Sequence, residues 1–190
     1  MNNLVKLIAG SFLMISGAVS ATLITDVQDY SNNTATEFFV LDDASKYDSP
    51  YYRGQNEDWS WIHEAIAGTF TSIALDVSAY DVDSPNEQDA IYVFDGASWL
   101  NLGDLVGMNN IWTFTTFDLS GYSWANTQVN AGLQVKLDID TSGEGWIVTL
   151  EESILSVDGG AATAVPEPST LAIFALGIMG LASRRFKKQS

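Results

Sequence analysis

The chain has 190 residues, no cysteine, one histidine, and 24 acidic residues against 8 basic ones, giving a formal net charge of −16. No disulfide can staple it, and a lone His without Cys is a poor zinc donor set. So acidic a body also repels nucleic acid, whose binding draws on Lys and Arg to displace counterions.

Charge is spread unevenly along the chain. From Thr22 to Ala164 only Lys46, Arg53 and Lys136 are basic, and every acidic residue except Glu167 falls in that span. The first 21 residues combine Lys6, an apolar run and the small residues Val19-Ser20-Ala21. That layout is a secretory signal peptide with cleavage after Ala21, an expectation of a short signal helix ahead of an exported body.

The body, residues 22–160, reads as all-β. Candidate strands are 36–41, 71–82, 90–94, 111–119, 133–140, 146–151 and 153–157. The clearest is LQVKLDID, in which Leu133, Val135, Leu137 and Ile139 alternate with polar residues, the period of a half-buried strand. Thr141-Ser142-Gly143-Glu144-Gly145 is turn chemistry, so 133–140 and 146–151 are expected to pair as a hairpin. No useful helical period appears between Thr22 and Ala164. Short strands separated by Gly, Asn and Asp imply an antiparallel β-sandwich, with six Trp and nine Phe in the whole chain supplying large buried surfaces. Residues 161–164 (Ala-Ala-Thr-Ala) read as a linker.

Several segments of the body resemble a jelly-roll module of secreted bacterial proteins: Trp59-Ser60-Trp61-Ile62-His63, 79–85, 89–93, 103–107, 112–119 and Gly145-Trp146-Ile147-Val148-Thr149. The resemblance spans about 58–158 and implies a jelly-roll-like fold. It implies no particular activity.

Within the body, His63 lies among aromatics on a strand and is expected to be a structural, hydrogen-bonded residue. There is no G-x-S-x-G elbow to support a serine nucleophile. Glu57, Asp58 and Glu64, close to Trp59 and Trp61, are the best placed acids for glycoside hydrolysis. Calcium is the sharper option. Asp81, Asp83, Asn86, Glu87 and Asp89 crowd one loop and offer the oxygens Ca²⁺ takes. Asp138-Ile139-Asp140-Thr141-Ser142-Gly143 opens like an EF-hand loop, but Thr149 stands where the bidentate Glu belongs, so it is read as a turn. Trp59, Trp61, Trp99 and Trp124 are candidate platforms for sugar rings, and Trp99 and Trp124 are preferred because they fall on expected loops.

The end of the chain is an apolar run, 171–182, followed by Arg184, Arg185, Lys187 and Lys188. The run is shorter than the ~17–25 residues of an unaided bilayer span, and the basic cluster would hold its end in the cytoplasm. Pro166 and Pro168 keep Val165 and Glu167 extended. Val165, Pro166, Glu167 and Pro168, the apolar run and the basic stop closely resemble the PEP-CTERM sorting signal of Gram-negative bacteria. The resemblance implies a transient membrane helix over 170–183 within a sorting signal at 165–190. It further implies an exosortase partner at the membrane and export to the cell surface or matrix, in association with exopolysaccharide and biofilm. The expected function is a non-enzymatic surface or matrix β-sandwich protein. A carbohydrate-binding module, with or without Ca²⁺, is the second reading, and a glycan-acting hydrolase the third.

Overall fold

The computed structural model describes residues 22–32, 38–84, 86–143 and 145–159. The signal peptide, the linker, the sorting motif, the 170–183 span and the basic stop all lie outside the described residues. Among the described residues no helix is long and apolar enough to cross a membrane.

Among the described residues, nine strands and one α-helix make an all-β antiparallel sandwich. The strands are β1 (Leu23–Gln28), β2 (Arg53–Gly54), β3 (Trp59–Ile62), β4 (Ile73–Tyr80), β5 (Ala90–Phe94), β6 (Trp99–Asp104), β7 (Trp112–Asp118), β8 (Gln134–Asp138) and β9 (Ile147–Asp158); α1 (Ala125–Ala131) lies between β7 and β8. One sheet runs β1-β9-β4-β7, with β2 joined to β9; the other runs β3-β8-β5-β6.

Alternation explains which faces meet. Val135 and Leu137 of β8 are fully buried, as are Leu75 and Val77 of β4, Ile91 and Val93 of β5, and Leu155 and Val157 of β9. Successive side chains on a strand point to opposite faces, so each sheet offers one apolar face and the two close on one another. Trp61, fully buried, meets Phe39 edge-on with ring centres 5.5 Å apart. Arg53 lies over Phe38 at 4.4 Å and Trp59 at 4.8 Å, closing the core beside β2.

The register also fixes the ends of the sandwich. Tyr80 at the end of β4 faces Trp112, the first residue of β7, and Thr149 in the opening half of β9. At the other end of β4, Ile73 faces Val157, next to the Leu23–Asp158 pair of β1 and β9. Gly159 packs directly against Thr22 there. The described body therefore begins and ends at one end of the sandwich. The loops following Tyr80, Asp104 and Asp138 gather at the other, roughly 25 Å away for a strand of this length.

The expected hairpin of 133–140 with 146–151 does not form. β8 pairs with β3 and β5, whereas β9 pairs with β1, β2 and β4 in the opposite sheet. The turn between them is an arch joining the sheets. Its organiser is Asp140, whose carboxylate accepts the N–H groups of Gly143 (3.0 Å), Gly145 (2.6 Å) and Trp146 (3.2 Å). Two further expectations are corrected. Trp99 begins a strand, and Trp124 caps a helix, so neither stands in a free loop. The candidates 146–151 and 153–157 are one continuous strand, and in the described part of 36–41 Phe39 forms a bridge, parallel to Leu150.

Candidate functional site

The acidic loop between β4 and β5 lies at the end of the sandwich opposite the termini. The structure does not bring its five candidate calcium donors together. Asp81 accepts the backbone N–H of Asn110 at 2.8 Å and the Tyr52 hydroxyl at 3.3 Å. Asp83 accepts from the Asn109 side chain at 3.2 Å. Asn86 is exposed and closes the turn by donating its N–H to the Asp83 carbonyl at 2.9 Å. Among the described residues no group of three or more His, Cys, Asp or Glu is arranged to hold a metal ion.

Glu87 and Asp89 turn inward and are buried. Glu87 Oε2 accepts the N–H of Asp83 at 2.8 Å, and Asp89 Oδ1 accepts the N–H of Asp140 at 2.9 Å. Their remaining oxygens, Glu87 Oε1 and Asp89 Oδ2, receive no N–H or O–H from other residues. The two carboxyl groups act on each other, and a proton shared between them would satisfy both. Burial first, then the bond to Asp89 and its charge, pushes Glu87 up to about 9. The pair therefore holds a proton at neutral pH. Asp89 is raised as well, mainly by burial, against the pull of its hydrogen bonds from Glu87 and Asp140.

His63, just beyond β3, is fully buried. Its Nδ1 lies 2.8 Å from Asp26 Oδ2 on β1, and its Nε2 lies 2.9 Å from Ser153 Oγ on β9. The order is that of a Ser-His-Asp triad. Ser153, however, is also fully buried, on the face of β9 that points into the core. A substrate carbonyl has no approach to its hydroxyl. The chain of bonds instead ties β3 in one sheet to β1 and β9 in the other. Burial would raise Asp26, but hydrogen bonds from His63, Gln28 and the Glu64 N–H outweigh it and hold its carboxyl below the ordinary value.

Of the acids proposed for hydrolysis, Glu57 accepts the N–H of Gly54 at 2.9 Å and Asp58 that of Ile139 at 3.1 Å. Glu64 is exposed, and its backbone N–H donates to Asp26 at 3.0 Å. A separate shallow groove of about 280 Å³ is lined by Asp29, Tyr30, Ser31, Val40, Leu41, Glu151 and Glu152. Burial and the neighbouring charges of Glu151 and Asp29 raise the Glu152 carboxyl. Composition alone carried no signal for that grouping.

Trp59 and Trp61 are buried and offer no platform. Trp99 is 42% exposed and meets Phe94 edge-on at 5.8 Å; Trp124 tilts against Tyr122 at 5.0 Å. Both stand at the end of the sandwich that holds the termini, where the turn at Gly96 abuts Gln128 of α1. A second aromatic group, which sequence reasoning missed, stands at the opposite end. Tyr47 meets Tyr52 and Tyr80 edge-on at 5.2 and 5.7 Å, and Tyr80 tilts onto Trp112 at 5.1 Å. The Tyr47 hydroxyl lies 2.8 Å from that of Tyr80 and donates to Asn110 Oδ1 at 2.9 Å. Trp112 Nε1 donates to Asp43 at 2.9 Å, and Lys46 pairs with the same carboxylate at 2.7 Å.

Comparison with solved structures finds a Tobacco streak virus coat protein at 14% identity, covering 77% of this chain and 92% of that one with a TM-score of 0.35. No curated protein matches the chain. A family model does match its end: the PEP-CTERM protein-sorting motif, over residues 164–188. That match agrees with the resemblance read from Val165-Pro166-Glu167-Pro168, the apolar run and Arg184-Arg185, and implies a secreted bacterial protein processed by an exosortase at the membrane.

Proposed function

We propose that this chain is a non-enzymatic component of the cell surface or extracellular matrix of a Gram-negative bacterium, delivered there by an exosortase and working alongside exopolysaccharide. The observation that carries the reading is the sorting motif at 164–188, placed behind an exported-type acidic sandwich. The burial of Ser153 and His63 supports a structural rather than hydrolytic use of the one triad-like grouping. The sandwich itself reads as a jelly roll: leaving out the short β2, the order β1-β9-β4-β7 over β3-β8-β5-β6 leaves β5–β6 as the hairpin, and the other connections cross between sheets.

Replacing Pro166, Glu167 and Pro168 together by Ala in an exporting host tests the sorting. Wild type is expected in the surface and medium fractions, and the triple variant in the inner membrane with its tail intact. Equal surface delivery of both would end the proposal.

Carbohydrate binding is the second reading, favoured by the partly exposed ring pairs Phe94–Trp99 and Tyr122–Trp124 and by the aromatic group around Tyr47.

A further inference from the structure

The sorting tail continues from Gly159, at the end of the sandwich beside Thr22. The end carrying Tyr80 and Trp112 is the opposite one. What stands at that end is an aromatic surface held in place by polar bonds.

Tyr47 is half exposed. Its ring cannot swing freely, because its hydroxyl is fixed by Asn110 and Tyr80 and its edges meet Tyr52 and Tyr80. The Tyr80 hydroxyl also lies 3.1 Å from Asn110 Oδ1, so the two phenol protons serve three contacts among these oxygens. Trp112 is fixed by Asp43, and the Lys46 ammonium lies 4.8 Å from the centre of the Tyr80 ring. Burial and the bond to Asp81 raise the Tyr52 phenol to about 12, and the bond to Tyr47 raises Tyr80 further, so these hydroxyls stay protonated. Rings fixed before binding lose little freedom when a ligand arrives. An amphipathic ring with carboxylate and amide acceptors at its rim matches a molecule with one apolar C–H face and a rim of hydroxyls.

The geometry points to a glycan-binding site at this end, built on the half-exposed Tyr47 and on Trp112, both propped by the buried Tyr80, with Asp43 as acceptor, for a neutral polysaccharide. Charge selects against the acidic polymers. Asp43 and Asp81 stand beside the rings, Lys46 is already paired with Asp43, and the whole chain carries −16. The inference rests on the carbohydrate-binding reading and differs from it in the surface used, since Trp99 and Trp124 stand at the tail end.

The test titrates the full chain with soluble neutral glucan and N-acetylhexosamine oligomers, and with a uronic-acid polymer, reading tryptophan fluorescence and heat. A neutral oligomer is expected to bind. Tyr47→Ala should weaken it at least tenfold, Tyr47→Phe (which keeps the ring) should weaken it less, and Trp99→Ala should leave it unchanged. Thermal melting of each variant separates lost binding from lost folding, and Tyr47→Phe decides the matter if Tyr47→Ala unfolds. Binding that survives Tyr47→Ala but disappears in Trp99→Ala would sustain carbohydrate binding and overturn this site. Preference for the uronic polymer would overturn the charge argument and the proposed ligand class. Absence of binding to every neutral oligomer at millimolar concentration would remove both readings.

Discussion

Glu87 keeps a proton that an exposed glutamate gives up, and the sign of the consequence can be worked out. The unfolded chain releases that proton above about 4.5, whereas the folded chain holds it until about 9. Stability from this group is therefore complete below about pH 4.5 and is lost as pH climbs toward 9. Glu87→Gln keeps a donor for Asp89 and removes the titration. At pH 8 the variant should be more stable than wild type by about a few kcal/mol, because the folded wild type must retain a proton that its unfolded chain has already released. Near pH 4.5 the two should melt together. A constant difference across the range, by calorimetry, would contradict the shared proton. Asp26 works in the other direction. Its folded value is lowered, so its contribution is present above about 3.8 and is lost as pH falls through the folded value. His63 was legible as structural because it sits among aromatics, but its partners were not. Asp26 and Ser153 are 37 and 90 residues away, and nothing local marks them. With Ser153 buried, a fluorophosphonate probe should leave the native chain unlabelled; a covalent adduct on Ser153 would mean that the hydroxyl can be reached.

Strands buried on one face announced themselves, as β4, β5, β7 and β8 did, because alternation survives in their sequences. β1 and β6 were missed for a physical reason: half of β1 is exposed, and β6 has no buried residue to mark an apolar face. The helix α1, ANTQVNA, has few strong helix formers and seven residues, too little to show a period. Tertiary contacts hold it. Asn126 accepts the Phe70 N–H at 2.6 Å and donates to the Phe70 carbonyl at 3.0 Å; Asn130, one turn on, does the same with Gly68 at 2.8 Å each way. Residues four apart share a helix face, so the two amides zip α1 to one stretch of loop. Asn126→Ala should cost about 1–3 kcal/mol in urea unfolding, and a cost indistinguishable from zero would show that the loop does not need the helix. The arch between β8 and β9 depends in the same way on Asp140, which sits at φ +49°. Asp140→Ala removes the acceptor of three backbone N–H groups in a conformation that Asn tolerates and Ala does not. It should destabilise by about 2 kcal/mol or more, and Asp140→Asn by clearly less; equal losses would put the effect elsewhere.

At the scale of the molecule, acid dominates. A chain of net charge −16 and pI near 4.1 repels itself at neutral pH, and the repulsion falls as carboxylates protonate. Added to the Glu87 effect and opposed by Asp26, this places maximal stability in the acidic range, at about pH 4–5. A melting series over pH 3–9 checks it, and a maximum at or above pH 7 would count against the account.

Both described chain ends lie together at one end of the sandwich, and the sorting motif follows from there. The motif was legible because its three parts occur in order in the sequence. The aromatic end opposite was not, because its residues come from three separate segments that only folding assembles. The central claim is that the tail is a sorting label, removed on delivery. Intact mass of the protein recovered from the surface or medium of an exporting host tests that directly. The account predicts a chain lacking residues beyond about Val165, with Arg184 through Ser190 gone. Recovery of surface protein that still carries those residues would contradict it.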